Sequence, residues 1–142
     1  EKIPSELYEF KQLRFLNISK NKLTELPLDL GVFKQLKVLD ATKNKISNSP
    51  IVICQLPALR KLHLARNQIS SLPACIGFLS ELTFLDIWDN PIAELPEDLL
   101  KLKNLKAVDM RSIMLSPGFQ SKWQERMPQV TWYFDAPCHC VD

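Results

Sequence analysis

The sequence predicts an α/β solenoid: short parallel strands stacked into a concave sheet, joined on the convex side by short helical or irregular segments. Three observations predict it. Leucine is about one residue in six, 23 of 142. The leucines recur at a strict period of 23 residues over most of the chain, and a fixed period of that size is the mark of a stacked-repeat architecture. Ten prolines outnumber three glycines, and Pro4, Pro27, Pro50, Pro73 and Pro96 all fall at one position of that period. Apolar residues are 46% and charged residues 24%, so the chain can fill a core and is not intrinsically disordered.

The elements follow from the register. Full units span residues 13–35, 36–58, 59–81 and 82–104, preceded by a partial unit at 1–12 and followed by a last strand within 105–115. Each opens L-x-x-L-x-L-x-x-N-x-[LI]. The last two leucine positions alternate with outward residues, which is strand periodicity. Leu16 and Ile18, Leu39 and Ala41, Leu62 and Leu64, Leu85 and Ile87, and Val108 and Met110 therefore point inward. One strand cannot bury that face alone, but parallel strands stacked about 4.8 Å apart can.

Asn21, Asn44, Asn67 and Asn90 follow the strands. An amide both donates and accepts, so this ladder is expected to satisfy backbone groups where the chain leaves the sheet. The prolines pre-set a bend and begin the convex segment. At the C-terminal end Ile113 replaces the asparagine. Ser116-Pro117-Gly118 then makes a turn, and Phe119, Trp123 and Met127 share one helical face. Pro128 ends that helix, and residues 130–134 read as a final strand. Residues 116–136 are thus expected to cap the core, with Trp123, Trp132 and Phe134 in it, and 137–142 to form a tail. At the other end the strand at 13–19 has an unprotected edge, and the chain starts in mid-unit at Glu1.

These units resemble those of the leucine-rich repeat family. The 23-residue length and the L-P-x-x-[IL] second half are similar to the subclass found in bacterial members and in Ras-linked signalling scaffolds. The resemblance covers residues 1–115 and implies a right-handed solenoid. It implies protein recognition by the sheet face, with binding to a small GTPase as an alternative and self-assembly through the N-terminal edge as another. It selects no partner, because the fold carries many binding surfaces.

Composition excludes several classes. A net charge of +2 is too mild to argue for nucleic acid or an anionic membrane. No stretch approaches the ~18 unbroken apolar residues of a membrane span. Gly31, Gly77 and Gly118 are too dispersed for a phosphate-cradling loop. The expectation is a non-enzymatic monomer with no cofactor and no metal, leaning cytoplasmic, with a secreted or cell-surface setting left open.

The outward columns hold the candidate binding residues. The third position of the units reads Phe15, Val38, Lys61, Phe84 and Ala107; the fifth Asn17, Asp40, His63, Asp86 and Asp109; the seventh Ser19, Thr42, Ala65, Trp88 and Arg111. Arg14, Lys37 and Arg60 on one side and Lys20, Lys43 and Arg66 on the other read as solvated rims. Phe84 and Trp88, with Arg111 nearby, have the composition of an interface hot spot; the alternative lays Trp88 over Arg111 without a partner. Asp86 and Asp109 face each other across strands. With Lys61 and His63 they form either a self-compensated polar face or a site for a cationic partner. Three ligands rarely converge from flat strands, so no metal is assigned there. Cys54 is expected to pack as a small apolar residue, a bridge to Cys75 being the alternative. Cys138-His139-Cys140 reads as a loose end, a Cys138–Cys140 or tail-to-body disulfide being the alternative.

Overall fold

A computed structural model describes residues 2–137. Six strands form one parallel sheet in chain order: β1 (Phe15–Asn17), β2 (Val38–Asp40), β3 (Lys61–His63), β4 (Phe84–Asp86), β5 (Ala107–Asp109) and β6 (Thr131–Tyr133). Equivalent positions of neighbouring units lie side by side. Leu16 pairs with Leu39, Leu39 with Leu62, Leu62 with Leu85, and Leu85 with Val108. The last rung pairs Val108 with Trp132, one residue beyond the period. Leu39, Leu62, Leu85 and Val108 are fully buried, as the alternation requires.

The convex side is built of 3₁₀ turns of five residues each: Ser5–Glu9, Leu28–Val32, Ile51–Gln55, Ala74–Phe78 and Glu97–Lys101. Each is preceded by one of the register prolines at its N-cap. The ring fixes φ, and the proline carbonyl accepts the N–H three residues on, from Leu7, Leu30, Ile53, Ile76 and Leu99. Phe33, Leu56, Leu79 and Leu102 end the later turns and are fully buried.

Between strand and convex turn the asparagines join successive units. The Asn67 side-chain oxygen accepts from Ile46 N at 3.1 Å, and its amide donates to Ala41 O (3.1 Å), Leu64 O (3.0 Å) and Ala65 O (3.2 Å). Asn44 and Asn90 repeat the pattern with Leu23 N and Ile69 N. Asn21 donates to Ile18 O and Ser19 O. Just before each asparagine, and before Ile113 in its place, the backbone turns left-handed: Lys20, Lys43, Arg66, Asp89 and Ser112 have φ between 54° and 58°. Side chains make that region costly by about 1–2 kcal/mol. The next unit helps offset it, for Lys20, Lys43, Arg66 and Asp89 donate their N–H to Thr42, Ala65, Trp88 and Arg111 carbonyls.

The C-terminal cap is helix α1 (Pro117–Arg126) followed by β6. Ser116 caps the helix, its hydroxyl accepting from Phe119 N at 3.1 Å. Trp123 and Met127 are buried, and Trp132 and Phe134 pack on the core, their rings stacked 5.5 Å apart. Asp135 closes the left-handed turn at Ser112, accepting its N–H at 2.6 Å in place of a further unit's carbonyl. Glu97 holds α1 from below through Arg126 and Lys122, and the hydrogen bond from Arg126 keeps its carboxyl below the usual range. At the other end β1 is the edge strand of the sheet.

One expectation is corrected. Cys54 does not pack as a free apolar residue; it is bonded to Cys75, with Cα atoms 5.7 Å apart. The two cysteines occupy different unit positions, but the turns that carry them, Ile51–Gln55 and Ala74–Phe78, pack against each other, inside the reach of a disulfide. The Cys138–Cys140 pair lies outside the described residues.

Two outcomes follow. Asn67→Ala leaves one N–H and up to three carbonyls without that amide in a buried place, and should cost about 3 kcal/mol in urea denaturation. Reducing the bridge, or Cys54→Ser with Cys75→Ser, removes closure of a loop of 21 residues' separation. It should also cost about 3 kcal/mol, roughly 10 °C in Tm for a chain of this size.

Candidate functional site

The outward side chains of the sheet stand in columns set by strand pairing. The fifth-position column runs Asn17, Asp40, His63, Asp86, Asp109 and, on the sixth strand, Tyr133. The third runs Phe15, Val38, Lys61, Phe84, Ala107 and Thr131. The candidate residues Lys61, His63, Phe84, Asp86, Trp88, Asp109 and Arg111 therefore share one patch over β3 to β5.

Their contacts divide into linked groups. His63 Nδ1 lies 3.2 Å from Asp86 Oδ2, and its ring meets Phe84 at 5.4 Å in a tilted pair. Arg111 donates to both Asp109 oxygens, from Nε at 3.1 Å and Nη2 at 2.7 Å. That fork raises the guanidinium's pKa above its ordinary value, chiefly through the hydrogen bonds to Asp109. Phe84 and Trp88 are partly buried and Lys61 is exposed. Asp109 is 6% exposed, so it meets a partner only through Arg111.

The stacking alternative for Trp88 is corrected. Arg66, not Arg111, stands over the Trp88 ring, 5.8 Å from its centroid, while Arg111 stands over Tyr133 at the same distance. Arg66 also reaches Asp89 at 3.7 Å. Trp88 and Tyr133 are thus each flanked by a cation, the arrangement of a desolvatable aromatic contact.

The fifth position also carries a backbone role that the sequence reading missed. Asn17, Asp40 and Asp109 each accept the N–H of the residue two further on, at 2.9, 3.0 and 3.1 Å, and Asp86 does so loosely at 3.5 Å. A short side-chain oxygen here closes the turn out of each strand. The signal lay in the column itself, which is Asn or Asp in four of five units. Tyr133 was missed as an outward residue because the rung that holds it falls outside the 23-residue spacing. It is 45% exposed.

Among the described residues, no group of three or more His, Cys, Asp or Glu side chains is placed to hold a metal ion. Among the same residues, no helix is long and apolar enough to cross a membrane.

Comparison with known proteins agrees with this geometry. A leucine rich repeat model matches residues 11–69, and a model of two leucine rich repeat copies matches 57–97. A leucine-rich repeat protein of Leptospira interrogans is 29% identical with a TM-score of 0.78, over 94% of this chain and 40% of its own. An internalin C2 of Listeria monocytogenes is 22% identical (TM-score 0.77, 91% of this chain and 54% of its own). An internalin, inlF, of the same species is 19% identical (TM-score 0.73, 93% and 39%). The chain thus spans roughly two fifths to just over half of these neighbours' lengths. A search of curated proteins finds no relative.

The two roles of Asp109 can be separated. Asp109→Ala loses the turn acceptor and the Arg111 fork, and should cost about 2 kcal/mol. Asp109→Asn keeps the turn acceptor and should cost about half as much by the same denaturation measurement.

Proposed function

We propose that this chain, which belongs to the leucine-rich repeat family, is a non-catalytic recognition module that binds a protein partner through the concave sheet face. Proteins of this fold are typically interaction modules rather than enzymes. The observation that carries the reading is the set Phe84, Trp88 and Tyr133, three aromatic side chains left partly exposed on the β4 and β6 rungs that flank β5. Arg66 and Arg111 stand beside two of them. Aromatic and arginine side chains on a fixed support are where binding energy concentrates.

The support is rigid for a physical reason. The strands under the patch, β3 to β5, are each paired on both sides, and the turns out of β3 and β4 are held by the Asn67 and Asn90 amides, so the face is presented with little ordering cost. His63, Asp86, Asp109 and Lys61 complete the patch as orienting and rim groups. The Cys54–Cys75 bridge supports a setting oxidising enough to keep it, an extracellular or periplasmic one rather than the cytoplasm.

The test is a cross-linked pull-down comparing the native chain with a folded Phe84→Ala, Trp88→Ala variant. A partner captured only by the native chain is the expected result; equal capture by both moves the site to the convex side or an end. With that partner in hand, Trp88→Ala should weaken binding by about 2 kcal/mol or more.

A further inference from the structure

The charges of the concave face are unevenly shared along the solenoid. The outward and flanking positions of the first three units carry seven cations against one acid, Asp40. The remaining rungs carry four acids, Asp86, Asp89, Asp109 and Asp135, against Lys106 and Arg111. Those four acids are all engaged within the chain. Asp86 pairs with His63, Asp89 with Arg66 and Asp109 with Arg111, while Asp135 accepts from Ser112 N.

Six of the seven cations of the first half, all but Arg66, are not. Arg14, Lys20, Lys37, Lys43, Arg60 and Lys61 make no ion pair within 4.0 Å among the described residues. Glu81 borders the hollow shared by Lys37 and Arg60 without pairing with either. Stacked units hold these cations about 4.8 Å apart per rung, well inside the ~10 Å screening length at 0.1 M salt. Their fields add, and an anionic ligand relieves their mutual repulsion. The reading of this face as a site for a cationic partner loses its basis, since the acids it needs are already paired.

We propose that the partner binds in one direction, with an acidic polypeptide segment across β1–β3 and an apolar or aromatic segment against Phe84, Trp88 and Tyr133 on β4–β6. This rests on the concave face being the binding surface, and adds to it the partner's chemistry and its polarity along the sheet. An acidic polypeptide suits this half better than nucleic acid. Phe15 is the one Phe, Tyr or Trp at the outward positions of the first three units, whereas single strands need aromatics interleaved with the cations to stack successive bases.

The experiment titrates the folded chain with poly-L-glutamate of about 20 residues, followed by backbone amide chemical shifts. A single-stranded oligonucleotide of similar charge is the parallel arm. Expected are shifts confined to the β1–β3 half, affinity falling steeply between about 0.05 and 0.3 M salt, and about tenfold or greater loss in Lys37→Glu, Arg60→Glu. Absence of binding at low salt, indifference to the charge reversal, or tighter binding of the oligonucleotide overturns the proposal. The two readings fail separately. Loss of the poly-glutamate result with Trp88-dependent capture intact removes only the acidic segment. Binding of poly-glutamate without Trp88-dependent capture removes the aromatic anchor.

Discussion

Each turn of this solenoid is completed by its neighbour, and the asparagine amide is where that dependence concentrates. Asn67 ties its own strand exit to the backbone of the preceding unit, reaching Ile46 and Ala41 while holding Leu64 and Ala65. The left-handed residue beside it depends on the carbonyl of the following unit. A buried polar network of this kind is useful only when every member is satisfied. That condition fixes the spacing of the units, hence the strand register, hence the columns on which the outward side chains stand. The leucines supply most of the burial energy, but leucine packing alone would tolerate slippage along the stack.

The ends show what the repeat needs. At the C-terminal end the chain substitutes parts: Asp135 supplies the acceptor for Ser112, and Trp123, Trp132 and Phe134 cover the last apolar rung. Glu97 then fastens the cap to the final 3₁₀ turn. The face and the cap are therefore not separate regions. Tyr133 belongs to both, outward on the strand whose inward residue, Trp132, closes the core.

The fold is legible in the sequence because its determinants are periodic. Leu39, Leu62 and Leu85, the asparagines and the register prolines each repeat a local chemical requirement, so five weak signals in phase make a strong one. The candidate site is less legible because it is made of departures from the period. Phe84, Trp88 and Arg111 could be placed on the outer face, but which arginine meets which ring depends on rotamers, and Arg66 rather than Arg111 takes Trp88. The acidic column reads as a binding feature until its oxygens are seen closing turns. Tyr133 hides behind a rung one residue out of phase. Cys54 and Cys75 hide for a similar cause, since their unit positions differ while their turns touch.

That cross-link also bears on how the molecule behaves under load. A stack of turns held only by neighbours gives way one turn at a time when drawn from its ends. Here the turn at Ala74–Phe78 is chained to the one at Ile51–Gln55, so the 21-residue separation between Cys54 and Cys75 withholds about 70 Å of contour length from any extension. The units on either side can be drawn out while the closed loop between the two cysteines, which carries β3, stays short. For a protein recognising its partner while one end is tethered, that makes β3 the strand that cannot be drawn out between the two ends.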